Sequence, residues 1–165
     1  MKLRLAGITP ESVVDGPGVR FTIFAQGCEH QCSGCHNPAT HSFTGGKLFK
    51  IEEIIEQIKE KTLITGVTFT GGDPFFQAAE FAQLGQEIKE LEQELDIITY
   101  TGFLYEDLIQ DQEWLSLLKV TDILVDGLFD EEKEDLNLNY RGSSNQRVID
   151  VKESLATDKI IELKL

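Results

Sequence analysis

Cysteine is scarce in this chain of 165 residues: there are three, and an odd number cannot be used up in internal disulfides. Positive charge is scarce too, with 15 Lys and Arg against 29 Asp and Glu and a formal charge of -14. Such a surface repels phosphate backbones and anionic membranes, so neither nucleic acid nor a lipid surface is expected as a general partner. A basic or neutral protein surface fits better. No apolar run nears the roughly 18 residues of a spanning helix. The start, Met1-Lys2-Leu3-Arg4-Leu5-Ala6-Gly7, is too short and too charged for a secretory signal. A cytoplasmic location is therefore expected, and free thiols suit that reducing compartment. Repeats and low-complexity segments are also lacking, and the length predicts a single domain over residues 1–165.

The few cysteines are concentrated. Gly27-Cys28-Glu29-His30-Gln31-Cys32-Ser33-Gly34-Cys35-His36-Asn37 holds all of them in a C-x3-C-x2-C spacing. Gly27 and Gly34 let so short a loop curl until the three sulfurs converge, which points to a metal centre. A structural zinc ion takes four Cys or His ligands and would need His30, His36 or His41 as the fourth. An iron–sulfur cluster normally takes four cysteines, so three would leave one iron open, as in catalytic metal sites. The spacing favours the cluster over zinc. Of the histidines, only His36, beside Cys35, is placed to line a cofactor; a surface or loop-stabilising role is the commoner one for such residues.

Ser12-Val13-Val14-Asp15-Gly16-Pro17-Gly18 is a turn-forming run. It leads into a β-branched and aromatic strand, Val19 to Ala25, that ends at the cysteine loop. Further strands are expected at Gly66–Thr70, Asp96–Tyr100, Thr121–Val125 and Arg147–Val151, with a sixth at Ile160–Leu165. Helices are expected from about Lys50 to Lys61, from about Phe76 to Glu94 and in the stretch up to about Lys119, each with apolar residues at helical spacing. Asp130-Glu131-Glu132-Lys133-Glu134-Asp135 reads as a solvated loop. Strands separated by helices predict an α/β fold with a parallel sheet. A closed eight-unit barrel needs roughly 250 residues, so the expectation is an open partial (β/α) barrel of about five to six parallel strands.

The cysteine loop, Gly71-Gly72-Asp73, Thr101-Gly102 and Asp126-Gly127 each follow a strand. In parallel α/β folds those ends gather on the face where active sites lie. Gly71 and Gly72 would let backbone approach a chelating ligand, and Asp73 could hold its ammonium group; the same residues also make an ordinary β-turn. Asp15 carries the same ambiguity. Phe103 and Tyr105 could pack on an aromatic ring, but core positions suit them better.

Together VVDGPGVRFTIFAQGCEHQCSGCHNP, TFTGGDP, YTGF, ILVDGLF and YRGSSNQRVIDV resemble the radical S-adenosylmethionine activating enzymes of glycyl-radical proteins. The resemblance spans nearly the whole chain. It implies a 4Fe-4S cluster on Cys28, Cys32 and Cys35 whose open iron chelates S-adenosylmethionine. It also implies cofactor contacts from Gly71, Gly72 and Asp73, and from Gly34 and His36 beside the third ligand. One-electron cleavage would give a 5'-deoxyadenosyl radical that takes hydrogen from a partner's glycine. The implied protein substrate is the anaerobic ribonucleoside-triphosphate reductase, ahead of pyruvate formate-lyase, with a flavodoxin or ferredoxin as electron donor. Two departures stand out: Asp73 replaces the Glu of many relatives, and Gly34 replaces an aromatic residue.

Overall fold

The computed structural model describes residues 1–165. Its centre is one seven-stranded sheet. Four strands run parallel as neighbours: β2 (Arg20–Ala25), β4 (Gly66–Gly71), β5 (Asp96–Tyr100) and β6 (Ile123–Asp126). Antiparallel strands close both sides. β1 (Lys2–Ser12) pairs with β2 and with the short β3 (Lys47–Lys50), and β7 (Arg147–Asp150) pairs with β6.

The α/β class is as expected, but the parallel strands number four where five to six were predicted. The reason for β7 lies in its connection. A parallel partner needs a crossover, usually a helix, and residues 127–146 contain only one short helical turn, Glu131–Lys133. The last segment, Ile160–Leu165, makes a single bridge from Glu162 to Ile149 and is not a strand. β1 is an element the sequence reading passed over. Its Leu3 and Leu5 are buried, and its Pro10 falls at a register break between Thr9 and Ser12, the kind of position where a strand tolerates proline.

The helices are α1 (Ile51–Lys59), α2 (Ala78–Lys89), the single turn α3 (Tyr105–Leu108), α4 (Gln112–Val120) and α5 (Val151–Thr157). Ile51, Ile54, Ile55 and Ile58 put every apolar side chain of α1 on one stripe, and all four are buried. α2 starts later than predicted because the first turn after Pro74 is a separate tight turn, Pro74–Gln77, and it ends earlier, at Lys89. Asp111 caps α4 by accepting from the N–H groups of Glu113 and Trp114, and Asp150 caps α5 through Glu153. α2 packs between α1 and α4, so these helices cover one face of the sheet. A core of 28 buried residues fills the space between, including Phe21, Ile23, Val67, Phe69, Phe81, Leu84, Ile88 and Leu117.

The opposite face is smaller and more polar. Ile98, Val125 and Val148 make a minor apolar cluster there. Arg20 lies fully buried, donating to Thr68 Oγ1 (2.7 Å) and to the carbonyls of Pro17 and Val67. It also pairs with Asp96 at 2.7 Å. A buried guanidinium must spread its charge over several acceptors, and here they tie the turn before β2 to β4 and β5.

Candidate active site

The C-terminal ends of β2, β4, β5 and β6 surround one cavity of about 500 Å³, within the size range of cofactor sites. Cys28, Cys32, Cys35, His36, Gly71, Gly72, Thr101, Gly102 and Gly127 all line it. Four motifs far apart in sequence therefore share one space. A shallower cavity of about 710 Å³ lies against α1 and α2, lined by Ile55, Gln83 and Glu87, with no thiol near it.

Backbone bonds pin the root of the cysteine loop: Gly27 N–H donates to Thr40 O (2.7 Å) and Cys28 N–H to His41 O (3.2 Å). Gln26, buried beneath, donates to the carbonyls of Ala39 and Ser42. All three cysteines are free thiols. Burial pushes the Cys28 thiol up to about 11, against the pull of the His30 backbone N–H and with further upward pushes from Asp73, Cys32 and Cys35. Cys35 is addressed differently. Asn37 N–H donates to its sulfur at 3.4 Å, and His41 Nε2 stands 3.4 Å from the same atom.

These features fit a cluster. A cluster distributes its ligands over several irons, and an N–H aimed at a sulfur, as that of Asn37 is at Cys35, is the outer support that thiolate ligands use.

The glycine turn after β4 is packed as tightly as it is exposed to the cavity. A Cβ on Gly71, whose φ is +99°, would lie 2.4 Å from Ala25 N. One on Gly72 would lie 2.4 Å from Gly27 O and 2.9 Å from Thr40 O. Glycine here lets the turn press against the root of the cysteine loop, in addition to leaving room for a ligand.

Asp73, expected to hold a ligand ammonium group, lies beneath the cavity wall. Its carboxylate is fully buried and does not line the cavity. Oδ1 accepts from Phe75 N–H (3.0 Å), while Oδ2 meets Thr101 Oγ1 (2.8 Å), Gly102 N–H (2.9 Å) and His30 Nε2 (2.6 Å). The carboxylates that do line the cavity are Asp15 and Asp135. Gly34 is placed behind the third cysteine. It does not line the cavity; with φ at +75° it turns toward the Glu131 side chain. His36 does line the cavity, half over Phe129 with ring centroids 4.9 Å apart and 3.5 Å from Glu134. Phe103 and Tyr105 are outside it, Phe103 against Trp114 (4.5 Å) and Tyr105 buried in the core.

The loop from Gly127 to Gln146 forms the remaining wall, and the Arg141–Gln146 segment is its fastener. Gln146 Oε1 accepts from the N–H groups of Gly142 and Ser143, its Nε2 donates to Gly127 O, and Asn145 donates to Leu128 O. Below it, buried Asp126 accepts from Arg147 and from Tyr105 N–H, and Arg147 also bonds Glu106, whose pKa is thereby lowered. Glu131 accepts from Ser33 at 3.0 Å, joining this loop to the cysteine loop. Thr101, expected at the strand ends with Gly102, lines the cavity, and so does Tyr100, which was not singled out from sequence. Its place as the last residue of β5 is the signal that could have found it.

Known proteins similar to this chain indicate its family. The family model described as a 4Fe-4S single cluster domain matches residues 14–149. The anaerobic ribonucleoside-triphosphate reductase-activating protein of Vibrio cholerae is 39% identical over 143 residues, covering 83% of this chain and 91% of that one. The protein of the same name from Enterobacteria phage T4 is 37% identical over 145 residues, covering 86% and 90%. The one from Escherichia coli K12 is 33% identical, covering 84% and 93%. Among solved structures, QueE from Escherichia coli overlaps 62% of this chain and 53% of its own, with a TM-score of 0.45 and 16% identity. With three thiols on one cavity and relatives matched over most of their length, the chain belongs to the family of anaerobic ribonucleoside-triphosphate reductase-activating proteins, whose matched part is a 4Fe-4S single cluster domain.

Proposed function

We propose that this chain activates an anaerobic ribonucleoside-triphosphate reductase, holding a 4Fe-4S cluster on Cys28, Cys32 and Cys35 and binding S-adenosylmethionine in the same cavity. When bound, that pair supplies one-electron chemistry able to remove a hydrogen atom from a glycine, and the protein supplies binding and orientation. The observation that carries the reading is the meeting of three unpaired thiols with the glycine turn on one cavity at the strand ends. Its relatives carry the activating name over nine-tenths of their length.

Each part of the cavity then has a task. The three thiols bind the cluster as thiolates, so Cys28 must lose the proton that burial favours. Asn37 N–H and the His41 ring support the Cys35 sulfur. Gly71, Gly72 and His36 border the cofactor, and Gly34 shapes the loop behind the third ligand. Asp15, Tyr100 and Arg141 supply further polar contacts on the cavity wall. Val14 and Leu136 line the cavity yet stay 78% and 89% exposed. Apolar side chains at an open mouth suit a polypeptide segment brought close to the reacting centre, where positioning selects the hydrogen.

The reading includes a single domain over 1–165 and a sheet that forms an open segment of a (β/α) barrel. It also includes a cytoplasmic setting and a flavodoxin or ferredoxin as electron source. No helix is long and apolar enough to cross a membrane. The direct test is anaerobic reconstitution with iron and sulfide followed by reduction in the presence of S-adenosylmethionine. Formation of methionine and 5'-deoxyadenosine is expected, and it should vanish when any one of Cys28, Cys32 or Cys35 is changed to Ser. Stoichiometric zinc without iron, or a fully active Cys32→Ser protein, contradicts the reading.

A further inference from the structure

We propose that Asp73 and His30 form a positioning pair that fixes the cysteine loop over the strand ends, and that the Asp73 carboxylate is not the group that receives the cofactor's ammonium. The proposal rests on the reading of the cysteines as cluster ligands. His30 lies between Cys28 and Cys32, and Asp73 ends the glycine turn. Their 2.6 Å contact therefore joins the loop after β2 to the turn after β4. Thr101 and Gly102, after β5, bond the same carboxylate oxygen. One buried side chain thus collects three segments that the sequence separates by up to 71 positions, from His30 to Thr101.

The chemistry of the carboxylate argues against a ligand role. A carboxylate has about four lone-pair sites, two on each oxygen, and four polar partners meet Asp73, three on Oδ2 and one on Oδ1. Its exposure is 0%. A cofactor ammonium would reach either oxygen only through the wall of the cavity.

His30 is built into this place. Its side chain is 13% exposed, its ring meets Phe103 edge-on at 4.6 Å and Phe76 at 5.5 Å. Gly102 leaves the space it occupies: a Cβ there would lie 2.7 Å from His30 Cδ2. The backbone N–H of the same residue is turned toward Cys28, where it favours the thiolate. The ring anchors and the backbone addresses the sulfur, so loss of the anchor displaces a ligand without removing one.

The test uses the full chain, both iron-free and anaerobically reconstituted, as wild type, His30→Ala, His30→Gln and Asp73→Ala. Readouts are hydrogen exchange of amides 28–36, iron per chain, S-adenosylmethionine affinity, and the electron paramagnetic resonance signal of the reduced cluster before and after S-adenosylmethionine is added. His30→Ala is expected to speed exchange in the loop about tenfold or more, the fold-change of one lost charge-assisted bond. It should also change the resonance signal while leaving exchange in β4 and β5 as in wild type. His30→Gln, whose amide N–H can still donate to Asp73, should recover most of both. Asp73→Ala should reproduce the loop effect. Wild-type loop exchange in His30→Ala overturns the proposal, as does failure of His30→Gln to rescue. So does an Asp73→Ala protein that loses only cofactor affinity. If Asp73→Ala does not fold, the two His30 variants decide. A wild type that takes up no iron defeats the functional reading, and exchange on the iron-free chain still tests the pair.

Discussion

The side chains of the site divide by what they face. The three cysteines face a shared cavity, and of these Cys28 is the one that burial holds protonated, near 11 against an ordinary 9.0. A thiol with a raised value favours the folded, iron-free chain below the unfolded value and loses that contribution as pH rises through the folded one. Iron-free wild type should therefore lose stability, relative to Cys28→Ser, as pH rises from 9.0 through about 11. Urea midpoints of the two proteins across that range measure it, and parallel curves would contradict it. Cluster assembly must release the same proton, so it should be favoured by alkaline conditions. The spacing of the thiols was legible in the sequence because ligand geometry constrains spacing. The direction of Asp73 was not, since a carboxylate after two glycines can point out to a ligand or in to a histidine, and only the burial of His30 between Phe76 and Phe103 decides.

Among the elements, the parallel centre of the sheet was readable, because strands rich in β-branched residues each end at a glycine-bearing turn. The antiparallel edges were not. β3 is four residues carrying two lysines, Lys47 and Lys50, a protected edge with little periodicity to detect. β7 looks like its parallel neighbours locally, and its direction depends on a helix being missing before it. The glycine turn is the element that joins sheet to site. Changing Gly72 to Ala places a Cβ 2.4 Å from Gly27 O and 2.9 Å from Thr40 O, both backbone atoms. Overpacking of this kind costs roughly 1–3 kcal/mol, or a fall in melting temperature of roughly 2–10 °C at this chain length. Because the displaced backbone carries Cys28, iron retention should fall as well. Unchanged melting and iron content in Gly72→Ala would mean the turn is free to move away from the loop.

At the scale of the molecule, helices cover one face of the sheet and the strand ends stay open at one rim. The fold thus leaves a mouth with exposed Val14 and Leu136 beside a cavity lined by three thiols. The chain as a whole is acidic, at a formal charge of -14, which suits a partner segment that is basic or neutral and disfavours nucleic acid. The central claim is that this mouth receives the glycine of an anaerobic ribonucleotide reductase. It is tested most directly by anaerobic electron paramagnetic resonance of reduced, reconstituted protein mixed with S-adenosylmethionine and the reductase that occurs with it. A stable glycyl doublet is expected with that reductase, lost when its acceptor Gly is changed to Ala, with little signal from a pyruvate formate-lyase. A doublet that forms only with the formate-lyase, or that survives the Gly→Ala change, would contradict the account.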